Sequence, residues 1–276
     1  MIEFKNVSFS YLSPERIDVL KNVNLKIDKG EFVSIIGRNG SGKSTLARLI
    51  SVLLLPSEGE VFVDGMNTRE EENLYKIRRK VGMVFQNPDN QIVSQIVEED
   101  VAFGLENLNF PPDKIREKVD EVLEEVGLYE FKNFPPHFLS GGQKQKLAIA
   151  GVLVMEPEYL VLDEPTSLLD PRGRRDVINL ILKLHKKGIT IVLITHRMEE
   201  ASMSQRVIVL NDGRIEMDGS PQDVFKEVER LRSIDLSVPP LTYLSYLLKK
   251  EGYPLEVKLW KREDLLREIL QLKLRV

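Results

Sequence analysis

The sequence predicts an α/β protein: a largely parallel sheet covered by helices, with a small antiparallel β element, an inserted α-helical subdomain and a small C-terminal helical appendage. Three observations predict it. Short apolar runs recur at residues 33–36, 81–85, 159–162 and 189–194. The segments between them carry apolar residues at helical spacing, the pattern of parallel strands joined by crossover helices. The first run, Val33-Ser34-Ile35-Ile36, ends at Gly37 and is followed by a glycine-rich loop and then a helix former.

In chain order, residues 2–9 alternate apolar and polar side chains, as a half-buried strand does. Residues 33–36 are β-branched or small and read as a buried strand entering a glycine loop. Residues 44–50 carry apolar groups at helical spacing. Between about residues 90 and 155 the pattern is mostly helical, with Ile115, Val119, Val122, Leu123 and Val126 on one amphipathic face. Asn211-Asp212-Gly213 lies between two apolar runs, a hairpin signal that places an antiparallel element beside the core. Composition changes near Ser237-Val238-Pro239-Pro240. Leu241, Leu244, Leu247 and Leu248 then mark one helix, and Leu265, Leu266, Ile269 and Leu270 another. The division expected is a domain over residues 1–232 and an appendage over residues 233–276.

The 276 residues, 42% hydrophobic and 30% charged, suffice for one large domain plus an appendage. Acidic residues number 43 against 39 basic ones, spread along the chain, so no basic face points to a nucleic-acid partner. The lack of cysteine excludes a disulfide scaffold, thiol catalysis and a zinc-thiolate site, and suits a reducing compartment. Met1-Ile2-Glu3-Phe4-Lys5 lacks the apolar core of a signal peptide, so a cytosolic chain is expected. The most apolar stretch, residues 46–55, is interrupted by Arg48 and is about half the length a bilayer-spanning helix needs. Any membrane role therefore requires a partner.

The loop reads Gly37-Arg38-Asn39-Gly40-Ser41-Gly42-Lys43-Ser44-Thr45 and matches Gly-x-x-x-x-Gly-Lys-[Ser/Thr] at Gly37, Gly42, Lys43 and Ser44. Glycines let backbone N–H groups converge on phosphates, and the following helix N-terminus adds positive potential. Lys43 is expected to reach the β- and γ-phosphate oxygens and Ser44 to coordinate Mg²⁺, so the ligand expected is Mg·ATP.

Tyr159-Leu160-Val161-Leu162-Asp163-Glu164 is an apolar strand that delivers two carboxylates at its C-terminal end, where ligands bind in open α/β sheets. Asp163 would hold Mg²⁺ through its water shell, and Glu164 would orient and deprotonate the attacking water. Two adjacent acids at a strand end are otherwise a solvated loop start. Leu139-Ser140-Gly141-Gly142-Gln143 precedes a strong helix former, with Ser140 as N-cap and two glycines exposing the backbone. It is either a second anion site at a helix N-terminus or an ordinary turn capping a helix. Two copies meeting head to tail would lay this element of one subunit over the γ-phosphate held by the other.

Together, residues 37–44, residues 139–143 and Asp163-Glu164 resemble an ABC-type ATPase over about residues 1–232. The resemblance implies a RecA-like P-loop NTPase core that hydrolyses ATP with Mg²⁺. Gln86, after the run at 81–85, resembles the family's Q-loop, which implies a place beside Ser44 and Asp163 at the metal and in catalysis with Lys43, Glu164 and His196. Ser167-Leu168-Leu169-Asp170 resembles the D-loop, with Leu168 where alanine is more usual. His196, after Ile191-Val192-Leu193-Ile194-Thr195, resembles the switch histidine, and a histidine at that strand end can donate to the γ-phosphate. Tyr11 resembles the aromatic that stacks on adenine. By chemistry alone Gln86 would be a solvated glutamine, Tyr11 a strand-end aromatic, and His196 a structural histidine, as His137 and His185 read.

A finer resemblance rests on Phe85-Gln86-Asn87-Pro88-Asp89-Asn90-Gln91, Val97-Glu98-Glu99-Asp100-Val101-Ala102-Phe103-Gly104, Gly141-Gly142-Gln143-Lys144-Gln145-Lys146 and residues 148–153. These are similar to the ATPase subunits of energy-coupling factor transporters, which take up vitamins or transition-metal ions. The resemblance implies a peripheral subunit on the cytoplasmic face of the cell membrane. Its implied partners are a second ABC ATPase subunit, of the same or a paralogous chain, a transmembrane coupling subunit and a substrate-binding membrane subunit. Glu98-Glu99-Asp100 then lies in the groove that receives coupling helices, or else is a solvated helix start favoured by the dipole. The leucine-rich appendage is expected to hold the ATPase subunits together, so that truncation after about Leu236 weakens the dimer and spares ATP binding. The alternatives are an ATPase of another ABC transporter type, a nucleotide-gated module without turnover, and a soluble ABC protein acting on DNA or ribosomes. The second should lack Glu164 or His196, and the third typically carries two ATPase halves or a long coiled coil.

Overall fold

A computed structural model of the protein describes residues 1–12 and 15–273. The chain opens with strands β1 (Ile2–Leu12), β2 (Arg16–Ile27) and β3 (Phe32–Gly37), and β3 leads into helix α1 (Lys43–Ile50). Then come β4 (Glu58–Val63), β5 (Met66–Asn67), α2 (Glu71–Lys80) and β6 (Val81–Val84). Three helices follow: α3 (Val97–Asn107), α4 (Pro112–Val126) and α5 (Gly141–Leu153). The chain continues through β7 (Tyr159–Asp163), α6 (Pro171–Lys186), β8 (Thr190–Ile194), α7 (Met198–Ala201), β9 (Arg206–Asn211) and β10 (Arg214–Gly219). It finishes with α8 (Pro221–Phe225), α9 (Val228–Ser233), α10 (Pro240–Lys250) and α11 (Arg262–Lys273).

Six strands form the main sheet in the order β10-β9-β3-β8-β7-β6. From β9 to β6 every pairing is parallel, and only the β9–β10 hairpin edge is antiparallel. Every residue of β3, β6, β7 and β8 is buried. A parallel sheet covered on both faces demands continuous apolar strands of this kind. Alternate side chains serve opposite faces. Leu160, Leu162, Ile191 and Leu193 pack with the helices α3 to α6, while Val161, Val192 and Ile194 pack towards α1 and the first strands of the chain.

Four strands form a second, antiparallel sheet, β2-β1-β4-β5. The hairpin at Asn211-Asp212-Gly213 belongs instead to the main sheet, because β9 also pairs with β3. Strand β2 escaped the sequence reading because its alternation is broken. Asn22 has φ +52° and the β1–β2 register shifts around it, so Leu20 and Val23 both face inward at an odd spacing.

A third cluster of Ile36, Val207, Val209, Phe225, Val228, Leu231, Leu236 and Val238 lies beside β9, with Tyr243 and Tyr246 of α10 packed on it. Thr242 and Ser245 of α10 are fully buried, whereas Leu244, Leu247, Leu266 and Leu270 are exposed. Among the described residues no helix is long and apolar enough to cross a membrane.

Candidate functional site

Neighbouring parallel strands bring their C-terminal ends together. β8 lies between β3 and β7, with Ile194 paired to Ile35 on one side and to Asp163 on the other. The loop after β3, the acids Asp163 and Glu164 at the end of β7 and His196 after β8 therefore share one edge of the sheet.

At this edge the loop turns into α1 through Gly42, whose φ of +103° belongs to the left-handed region. A Cβ there would stand 2.7 Å from Leu20 Cδ2, so only glycine fits. Lys43 is buried, and its Nζ donates to the carbonyls of Gly37 at 2.9 Å and Arg38 at 2.7 Å. Burial lowers its pKa below the ordinary lysine value, against the opposing pull of Glu164 and Asp163. Asn39 and Gly40 are exposed, while the buried hydroxyl of Ser41 has no hydrogen-bond partner. Such an orphan in a phosphate-type loop suits a ligand oxygen.

Ser44 Oγ donates to Asp163 Oδ1 at 3.1 Å. Burial raises the Asp163 pKa, the Ser44 hydrogen bond opposes this, and the charge of Glu164 adds to it. A hydroxyl and a carboxylate whose ionised form is only partly compensated are hard oxygen donors that fit Mg²⁺. Among the described residues no group of three or more His, Cys, Asp or Glu could hold a metal.

Glu164 follows at φ +48°, a left-handed conformation that costs a non-glycine residue on the order of 1–3 kcal/mol. Its N–H donates to Ile194 O at 2.9 Å, which holds the turn. One carboxylate oxygen, Oε2, accepts from Gln86 Nε2 at 3.1 Å and lies 3.2 Å from His196 Nδ1. Gln86 Nε2 also reaches Ser167 Oγ at 3.3 Å. The structure thus brings Lys43, Ser44, Gln86, Asp163, Glu164 and His196 to one edge.

Tyr11 packs edge-on against Phe9, with centroids 4.9 Å apart, and its hydroxyl lies 3.4 Å from Thr45 Oγ1. It stands beside α1. Ser140, Gly141, Gly142 and Gln143 open α5, a different element from the loop at Gly37. Ser140 and Gln143 hydrogen-bond each other in a capping box, Ser140 N–H to Gln143 Oε1 at 2.8 Å and Gln143 N–H to Ser140 Oγ at 3.4 Å. Among the described residues neither side chain bonds to the Gly37–Ser44 loop.

Sequence reasoning missed what holds Gln86. Gln91 accepts from Phe85 N–H at 3.1 Å and donates to Ala148 O at 3.1 Å, which ties the end of β6 to α5. It also missed that Asp100 turns inward and accepts from the N–H groups of Val93 and Ser94. His185 is structural, with Nε2 3.0 Å from Gly30 O.

Comparisons with known proteins agree with this geometry. A family profile described as ABC transporter matches residues 20–167. The chain is 56% identical to the energy-coupling factor transporter ATP-binding protein EcfA1 of Caldanaerobacter subterraneus subsp. tengcongensis over 91% of this chain and 92% of that one. It is 51% identical to the protein of the same name from Clostridium novyi over 99% of each chain. Among solved structures it resembles cbiO1 of Clostridium perfringens, described as part of the ABC transporter complex cbiONQ. That likeness has a TM-score of 0.77 and 38% identity, over 90% of this chain and 98% of that one. It also resembles the ATP-binding cassette MJ0796 in a dimeric post-hydrolysis state bound to ADP and Pi. The TM-score there is 0.73 at 38% identity, over 80% of this chain and 99% of that one.

Proposed function

We propose, because this chain belongs to the ABC transporter family and to its energy-coupling factor ATP-binding proteins, that it is one of two ATPase subunits that close over Mg·ATP to drive a membrane importer. It is the ATP-binding and hydrolysing subunit, and the cargo is a micronutrient, a vitamin or a transition-metal ion. One observation carries the mechanism: Glu164 Oε2 stands within reach of both Gln86 and His196, at the edge where Ser44 meets Asp163.

Lys43 exchanges its two loop carbonyls for β- and γ-phosphate oxygens, and backbone N–H groups of residues 39–45 cradle the phosphates. Ser44 and Asp163, joined by Gln86, would hold Mg²⁺, whose charge offsets that of the phosphates. Glu164 takes a proton from the attacking water, which Gln86 helps to orient, and His196 donates to the γ-phosphate. Tyr11 stacks on adenine. Ser140, Gly141, Gly142 and Gln143 complete the site of the other subunit, of the same or a paralogous chain. Their outward capping box and their separation from the Gly37 loop support this reading.

A cavity of about 420 Å³ lined by Tyr75, Val93, Phe103 and Met155 among others is the docking place for a transmembrane coupling subunit, which works with a substrate-binding membrane subunit. Gln91 lines the same cavity and holds Phe85, so movement at Gln86 is felt there. The chain then works as a peripheral subunit on the cytoplasmic face of the cell membrane. Purification of the chain from detergent-solubilised native membranes tests the assignment. Two kinds of membrane subunit and a second ATPase subunit should accompany it in stoichiometric amounts. Nucleic acid or ribosomal proteins in their place would overturn it.

A further inference from the structure

Glu200 is a carboxylate that the mechanism above does not use, yet it is only 4% exposed and both of its oxygens are engaged. It sits on the single turn of α7. Thr166 Oγ1 donates to its Oε1 at 2.6 Å and Thr195 Oγ1 donates to its Oε2 at 2.7 Å. Both threonines are buried, at 1% and 2%. Distances this short are those of charge-assisted O–H···O⁻ bonds. Thr195 Oγ1 also accepts from Arg197 N–H at 3.0 Å, so the whole 195–197 turn is fixed to this carboxylate.

The two threonines belong to different loops. Thr166 is two residues beyond Glu164 on the loop after β7, and Thr195 immediately precedes His196 on the loop after β8. Backbone pairing links these loops through Glu164 N–H to Ile194 O, which lies at their root. Above that root, Glu200 joins one to the other by side chains, beside the 3.2 Å approach of Glu164 Oε2 to His196 Nδ1.

We infer that Glu200 is a positioning residue: by holding Thr166 and Thr195 at once, it sets Glu164 and His196 in the register that ATP hydrolysis needs. The inference rests on the roles proposed above for Glu164 and His196. An ionised carboxylate only accepts hydrogen bonds, which matches two hydroxyl donors. Glutamine of the same shape accepts from one hydroxyl and can only donate to the other, so Glu200→Gln exchanges two charge-assisted bonds for weaker neutral ones, one of them reversed, while filling the same space.

Steady-state ATP hydrolysis by the full chain tests the inference, with variants first shown by thermal melting to be folded. Glu200→Gln and Thr195→Val should each lower kcat by about 10- to 100-fold and leave KM for ATP within about two-fold, as expected for misplaced catalytic groups. Thr195→Ser, which keeps the hydroxyl, should retain most of the turnover. In a His196→Ala background, Glu200→Gln should cost far less than it does alone. Wild-type kcat in folded Glu200→Gln and Thr195→Val, or equal losses in Thr195→Ser and Thr195→Val, would overturn the inference. Glu164→Gln assayed beside them separates the two levels: residual turnover there removes the proposed roles, whereas an inactive Glu164→Gln with an active Glu200→Gln removes only the role of Glu200.

Discussion

Gly142 and Gly173 meet backbone to backbone: a Cβ on Gly142 would stand 2.9 Å from Cα of Gly173. The first turns of α5 and α6 are therefore in direct contact. The segment Ser140-Gly141-Gly142-Gln143, proposed to face the second subunit, is set by the turn that Asp170 caps through its bonds to the N–H groups of Arg172 and Gly173.

Gly142→Ala should force these turns apart. Overpacking of this kind costs about 1–3 kcal/mol, or roughly 2–4 °C of melting temperature for each kcal/mol in a chain of this size. ATP turnover should fall at least about ten-fold, because the shared site is misaligned. Nucleotide affinity of the single chain should hardly change, because its own phosphate loop lies elsewhere. Melting curves and titration with a fluorescent ATP analogue check both parts.

Glu164→Gln should bind ATP within a few-fold of the wild type and lose turnover by at least about 100-fold. With hydrolysis blocked, an ATP-dependent dimer should persist on size exclusion. Near-normal phosphate release would remove Glu164 as the base.

Asp100→Asn should change stability in a pH-dependent way. Burial raises the Asp100 pKa above the ordinary 3.8, although the N–H groups of Val93 and Ser94 oppose this. The folded chain then holds that proton more tightly than the unfolded chain does. The resulting stabilisation is complete below pH 3.8 and lost as pH rises through the folded value. Asparagine keeps the acceptor without the charge, so the variant should melt as high as the wild type or about 2–4 °C higher at pH 7. The difference should shrink as the solution is acidified. A gap that widens in acid would contradict the assignment.

Leucines of the appendage offer a sharper test of the proposed subunit contact than truncation does. Cutting after Leu236 would uncover the third cluster, since Val238 is buried in it and Tyr243 and Tyr246 cover it. Leu244→Glu combined with Leu247→Glu and Leu270→Glu alters only residues 40%, 40% and 61% exposed. Light scattering should show a dimer weakened at least about ten-fold by three charges in an apolar contact, with ATP affinity of the monomer unchanged.

Much of the sheet edge was legible in the sequence, because its signals are local. A β-branched run into Gly37, an apolar strand ending in Asp163-Glu164 and another ending before His196 each declare themselves within a few residues. What remained hidden is made by side chains from distant elements. Glu200 joins loops after two strands, Gln91 joins β6 to α5, and β2 is disguised by the register shift at Asn22. The trio Glu98-Glu99-Asp100 looked uniform as sequence, yet folding divides it: Glu99 is exposed and Asp100 is buried.

Lys43 is already committed to the peptide carbonyls of Gly37 and Arg38. An arriving anion meets an ammonium with two of its three donors already engaged. A lone phosphate or sulfate would span less of the loop than a triphosphate does. In the site proposed above, a triphosphate would draw the lysine at one end while its other oxygens met the amides at the head of α1. In the proposed site the loop would then favour ligands long enough to touch both places over shorter anions.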